Sequence, residues 1–300
     1  MNVLFWLEGT LLAAVLWLFG RLSPVAASNA GGALARVVGP LLPVSAVAKT
    51  NLRRAMPEMD AGERRRVVRG VWDNLGRVMG EFPHLAGLRQ TASGPGWETV
   101  GGEALLEVAA RGGPAIVFSG HLGNWEMTAV AAAANGIPLA LIYRGAKNPY
   151  VDRVVRAYRQ RASGEAPLFA KGVAGARGAL AYLKAGGFVG MLMDQKMNDG
   201  IPARFFGEQV MTAPALAVLA LRLRCPVIPG YVERLGPARF RIVVEPPLAL
   251  PATGVGRTDV TALTQMVNDR LEAWIRARPE SWLWLHRRWP LDPSRVAPPH

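Results

Sequence analysis

The chain has a single cysteine, Cys225, among 300 residues, so no internal disulfide can form and stability must come from a packed core. The lone thiol fits a reducing compartment. There is no C-x-x-C pair, no H-E-x-x-H, no Walker phosphate loop and no G-x-S-x-G elbow, which removes the usual support for zinc-protease, nucleotide-hydrolase and serine-hydrolase chemistry. Gly172, Gly175 and Gly178 miss the dinucleotide fingerprint and read as helix packing or a loop. Acidic residues are scarce, 22 against 35 Lys and Arg, for a formal net charge of +13. Histidine is rarer still: His84, His121, His286 and His300.

His121 has the most informative setting. Pro114 to Ser119 is a short apolar run that reads as a buried strand, and Met127 to Ala134 is an alanine-rich helix, so Gly120-His121-Leu122-Gly123-Asn124-Trp125-Glu126 is a strand-to-helix turn. Residues five apart on one helix point roughly 140° away from each other, so His121 must precede the helix. Gly120 and Gly123 permit the tight turn, and Asn124 is expected to cap the helix, with Glu126 in its first turn. An ionised Glu126 folded back onto one ring nitrogen would fix the tautomer of His121 and leave the other nitrogen as a general base. The plainer alternative is a turn histidine beside an N-terminal helix acid.

Helices alternate with strands along the rest of the chain, which argues for an α/β fold, a largely parallel sheet wrapped by helices. Helices are expected over 51–88, 101–111, 150–161, 175–184, 212–223 and 260–278, and further strands over 139–143, 188–193, 225–231 and 240–244. Leu52, Val67, Val71, Leu75 and Met79 mark the buried face of the first helical region. Asp194-Gln195 ends a strand at the carboxyl edge, where open α/β sheets gather ligands. Asp194 is expected to bind an acceptor or to brace the His121 loop, with a plain loop cap as the alternative. Phe205, Phe206, Trp282, Trp284 and Trp289 read as core or membrane-interface packing.

The H-x-x-x-x-E run resembles the signature of the lysophospholipid acyltransferase superfamily, and His121 to Glu126 as a whole is similar to its lipid A late acyltransferase branch. Four further blocks follow that family's order: Asn51 to Glu81 with Pro57-Glu58 and Asn74-Leu75-Gly76-Arg77; Tyr143-Arg144 with Asn148-Pro149; Asp194-Gln195 with Phe205-Phe206-Gly207 and Thr212; and Pro279 to Trp289. Gly145 departs from the pattern, standing where that branch has proline. The resemblance implies a glycerolipid acyltransferase-like fold and transfer of a fatty acyl chain from acyl carrier protein to a hydroxyl of a Kdo-bearing lipid A precursor, in lipopolysaccharide biosynthesis. His121 would be the base and Glu126 its partner. Asn124, Arg144, Arg161, Asp194 and Gln195 are the expected substrate-binding residues. No metal or organic cofactor is expected, because a thiol is already a good leaving group. The same motifs leave open acyl-CoA-dependent acylation of another glycolipid, such as a phosphatidylinositol mannoside, and a non-catalytic lipid-binding membrane protein.

Val3 to Gly20 is apolar except for Glu8 and Thr10, just long enough to span a bilayer. Glu8 makes a deep span costly, so a helix in the interface is the alternative. A cleaved signal peptide would want Lys or Arg before the apolar run, and there is none. Arg21, Arg36, Lys49, Arg53 and Arg54 follow it, which by the positive-inside rule puts the body in the cytoplasm. The expected organisation is a membrane-anchoring helix over residues 1–22 and one α/β acyltransferase domain over 23–300, on the cytoplasmic face of the inner membrane. Between Arg144 and Arg177 eight basic residues, Arg144, Lys147, Arg153, Arg156, Arg159, Arg161, Lys171 and Arg177, meet only Asp152 and Glu165. No nucleic-acid motif accompanies them, so the expected partners are acyl carrier protein, a phosphorylated glycolipid acceptor or anionic headgroups. Most of these arginines singly fit a solvated helix face; Arg153, Arg156 and Arg159 are expected to be the exposed face that meets the carrier.

Overall fold

The computed structural model describes residues 2–164 and 166–290. Met1, Glu165 and residues 291–300, the last part of the expected 23–300 domain and including His300, lie outside the described residues. The chain opens with helices α1 (Val3–Gly20), α2 (Pro24–Val38), α3 (Ser45–Ala55) and α4 (Ala61–Glu81). The expected helical region 51–88 is therefore broken. Met56 leaves the helical region of backbone space, as a residue before proline is pushed to do. Asp60 and Glu63 then restart the helix with a reciprocal capping box. A 3-10 turn, Phe82–Gly87, extends α4. Gly31 packs on Gly76 and Gly80 on Ala27, with no room for a side chain between α2 and α4. Met79 lies off that line and is exposed rather than buried.

The α/β part follows as β1 (Gly96–Gly101), α5 (Glu103–Ala110), β2 (Ala115–Ser119), α6 (Met127–Ala134), β3 (Leu139–Tyr143), α7 (Pro149–Ser163), β4 (Leu168–Ala170), α8 (Val173–Lys184) and β5 (Phe188–Leu192). Then come β6 (Lys196–Phe205), β7 (Glu208–Thr212), α9 (Ala215–Leu223), β8 (Val227–Gly236), β9 (Arg239–Val244) and α10 (Gly256–Ala277). Seven strands make one sheet in the order β1-β9-β8-β2-β5-β3-β4. Every neighbouring pair is parallel except β8 with β9. The expected fold class, a largely parallel sheet wrapped by helices, is the one observed. The five residues of β2 are all buried, as the central strand of a covered parallel sheet must be. The antiparallel hairpin β6–β7 is an addition to the expected elements, and Thr212 belongs to it rather than to α9.

Trp282, Trp284 and Trp289 are buried with Phe205 and Phe206, ring against ring. They are core, which sets aside their reading as membrane-interface residues. Arg288 is buried beside them over the Phe205 ring, donating to Thr212 Oγ1 at 2.8 Å and to the Met211 carbonyl at 2.9 Å, and burial pushes it down to about 10. In a second core cluster, α1 turns one stripe inward. Its Leu16 is fully buried with Phe82, Leu85 and Met127.

Candidate active site

The parallel register of β2 and β5 pairs Ser119 with Leu192, so the residues just beyond these strands, His121 and Asp194, emerge together at the carboxyl edge. The His121 backbone N–H donates to Asp194 Oδ2 at 2.8 Å, and His121 Nδ1 lies 2.8 Å from Oδ1 of the same carboxylate. Nε2 of His121 has no hydrogen-bond partner among the described residues. Asp194 is fully buried and also accepts from Trp282 Nε1 at 2.7 Å. Burial opposes its charge, but His121 outweighs it and holds the carboxyl well below the usual range. Burial likewise opposes a charged His121, yet Asp194, and Glu126 at longer range, raise its pKa above the ordinary histidine value.

Glu126 does not meet the His121 ring. Its carboxylate is bound two ways by Arg159 of α7, at 2.9 and 2.6 Å, and accepts from Trp125 Nε1 at 3.0 Å. The Trp125 ring in turn stands edge-on to His121, 5.0 Å between centroids. The expected ring contact from Glu126 is thus replaced by one from Asp194, because α6 begins only at Met127 and Glu126 points to α7. Arg159 is correspondingly corrected from an exposed carrier-docking residue to a half-buried partner of Glu126, whose negative charge overcomes burial and keeps it protonated.

Asn124 does not cap α6. It is fully buried, and its amide donates to Glu81 Oε2 at 2.8 Å. Asp194, expected either to bind an acceptor or to brace the His121 loop, has its carboxylate engaged by His121 and Trp282, the bracing arrangement. Arg144, just past β3, and Arg161, near the end of α7, are exposed. Arg161 lies over the Tyr158 ring at 5.6 Å. Gln195 is half-buried beside Asp194.

The rest of the loop is fixed from behind. Leu283 N donates to the His121 carbonyl at 3.1 Å and Gly123 N to the Ser281 carbonyl at 3.0 Å, so the Pro279–Trp289 block pairs with the motif like a short strand. Asn74 Nδ2 reaches the Gly123 carbonyl at 2.9 Å. Gly123 has φ +56°, and a side chain there would overlap the Val232 carbonyl, so both conformation and space demand glycine. Gly120 has no positive φ; it is wanted for space against Leu271, Leu122 and Asp194. Glu81, fully buried, is paired with Arg234 and accepts from Ser28 Oγ at 2.6 Å as well as from Asn124. His286 lies between the carbonyls of Leu283 and Asp194, at 2.6 and 3.2 Å, and burial pushes its pKa down. The roles of Glu81, Asn74, Arg234 and His286 carry no local residue pattern, and Arg159 has one only as a member of the basic face with Arg153 and Arg156. Their membership in the Asn51–Glu81 and Pro279–Trp289 blocks was the available signal for all but Arg159 and Arg234.

The arrangement can take a proton at Nε2 of a histidine whose opposite nitrogen faces a buried carboxylate. Among the described residues no group of three or more His, Cys, Asp or Glu could hold a metal ion. The model of the family described as bacterial lipid A biosynthesis acyltransferase matches residues 3–290. The chain is 22% identical over 243 residues to a lipid A biosynthesis acyltransferase of Haemophilus influenzae, covering 79% of this chain and 73% of that one. It is 25% identical over 245 residues to lipid A biosynthesis acyltransferase 1 of Shigella flexneri, covering 78% and 72%. The chain belongs to the bacterial lipid A biosynthesis acyltransferase family.

Proposed function

We propose that this acyltransferase of lipid A synthesis moves a fatty acyl group from the thioester of acyl carrier protein to a hydroxyl of a lipid A precursor, with His121 as general base. The observation that carries the reading is the 2.8 Å contact of His121 Nδ1 with buried Asp194, which leaves Nε2 to act. Nε2 takes the hydroxyl proton as the oxygen attacks the thioester carbonyl. The new C–O bond forms, the tetrahedral intermediate collapses with loss of the C–S bond, and the imidazolium returns its proton to the departing sulfur. Asp194 stabilises that imidazolium at contact and Glu126 at longer range.

Gly123 N–H is already bonded to Ser281, so the donors for the oxyanion are the backbone N–H groups of residues 124–126 ahead of α6, or the Arg144 side chain. Arg144, Arg161 and Gln195 remain the candidates for the acceptor, Arg144 and Arg161 through its phosphates. No cofactor enters this chemistry. The body from residue 23 works as one domain with α1 docked on it, at the cytoplasmic face of the inner membrane.

The test is mass spectrometry of products from the purified full chain, given acyl carrier protein thioesters and a Kdo-bearing lipid A precursor. One added acyl chain is expected, absent in His121→Ala. Transfer only from acyl-CoA to a phosphatidylinositol mannoside would redirect the substrate assignment, and no transfer to any glycolipid would sink the catalytic one.

A further inference from the structure

Helix α1 has the apolar composition and the 18 residues of a membrane span, about 27 Å at 1.5 Å per residue against roughly 30 Å of hydrocarbon. Its contacts run the other way. Near its start, Asn148 Nδ2 donates to the Phe5 carbonyl at 2.9 Å and to Glu8 Oε2 at 2.8 Å, and Gly9 lies against Tyr150 with no room for a side chain. Midway, Leu12 and Leu16 enter the cluster of Phe82, Leu85, Tyr158 and Met127. At its end, His84 Nε2 sits 3.1 Å from the Phe19 carbonyl and Gly20 abuts Pro83.

The body therefore grips α1 along its whole length, with Phe5, Gly9, Leu12, Leu16 and Phe19 as the gripped stripe. A helix crossing the bilayer in that state would draw α7, its exposed Arg153 and Arg156, and the sheet behind them to hydrocarbon depth. Charged groups facing lipid there are strongly disfavoured. We infer that α1 lies in the plane of the membrane surface, docked on the body, with its outer face in the acyl-chain boundary.

That outer face is Leu4, Leu11 and Leu18, 60%, 66% and 58% exposed; their seven-residue spacing puts them within about 40° around the helix. Trp6 and Trp17, also exposed, lie roughly 20° apart along one flank, where aromatic rings meet headgroups. Arg21 stacks over Trp17 at 5.3 Å. Glu8 is exposed at the edge of the gripped stripe, where its carboxylate accepts from Asn148 Nδ2. Leu16 packs in the same cluster as Met127, the residue after Glu126. The in-plane helix thus shares a core cluster with the start of α6, which brings the motif toward a lipid acceptor still seated in the leaflet.

The experiment places a nitrobenzoxadiazole label on Leu4→Cys, Leu11→Cys or Leu18→Cys, each in the active full chain with Cys225→Ala. The labelled proteins are reconstituted in phosphatidylethanolamine and phosphatidylglycerol vesicles carrying lipids brominated near the glycerol or near the methyl end of the chain. An in-plane helix gives all three labels the same shallow quenching. A span puts Leu11 deep and the other two shallow, which overturns the inference, as does the absence of quenching by either lipid.

Discussion

Arg159 grips both carboxylate oxygens of Glu126, Nε to Oε2 at 2.9 Å and the second guanidinium nitrogen to Oε1 at 2.6 Å, and so ties the motif to α7 rather than to its own histidine. Glu126→Gln should leave Arg159 without an anion in a half-buried site and lower folding stability by about 3 kcal/mol, with a fall in kcat. Denaturant unfolding of Glu126→Gln and of the Glu126→Gln/Arg159→Gln pair separates two roles. The double variant should regain stability but not activity, since the charge near His121 is still missing. Full recovery of activity would reduce Glu126 to a tether.

The proposed base predicts a pH response set by Asp194. As the proposed base, His121 would act only when neutral, and its pKa is raised by Asp194 against the effect of burial, so the acid limb of kcat/KM should lie above the ordinary histidine pKa of about 6.5. Asp194→Asn removes the charge that raises it. The limb should move to lower pH while kcat falls roughly 10²- to 10⁴-fold. A limb that stays in place would belong to another group.

Gly123→Ala should cost about 1–3 kcal/mol from backbone strain alone and should also displace the loop from the Val232 carbonyl. Asn74→Ala removes a hydrogen bond from the same peptide and should cost about 1 kcal/mol. Thermal melts read alongside turnover check this: activity should fall further than stability in both, because the His121 position depends on the loop. Equal loss of folded protein and activity would make these residues merely structural.

Arg153 and Arg156 are exposed on α7, beside a groove with Asp152, Ala157 and Gln160. Reversing their charge should raise the apparent KM for acyl carrier protein several-fold and flatten its salt dependence, leaving acceptor kinetics unchanged. Arg144→Lys should instead impair use of a phosphorylated acceptor if its contact is bidentate. Kinetics with each substrate varied across a salt series distinguishes the two, and an unchanged salt slope would leave the α7 face a solvated surface.

The strand-turn-helix around His121 was legible because its signals are local: an apolar run, two glycines, an alanine-rich helix. Which carboxylate meets the histidine was not, since that depends on β5 lying next to β2, a choice made by the whole sheet. Arg159 was hidden because a helix rich in arginine gives no local sign of which one turns inward. The hairpin β6–β7 carries no strand signal in the sequence because Asn198, Asp199, Gly200 and Pro202 interrupt any alternation of apolar residues. The tryptophans at 282, 284 and 289 were ambiguous for the opposite reason: an aromatic cluster has the same composition in a core as at a lipid boundary, and only packing against Phe205 and Phe206 decides.

The backbone of Ser281 and Leu283 and the indole of Trp282 clamp the His121 loop and its aspartate from the far end of the chain. During synthesis the motif and Asp194 are made well ahead of those residues. The His121–Asp194 pair is therefore held in full only once the last described segment packs behind the loop.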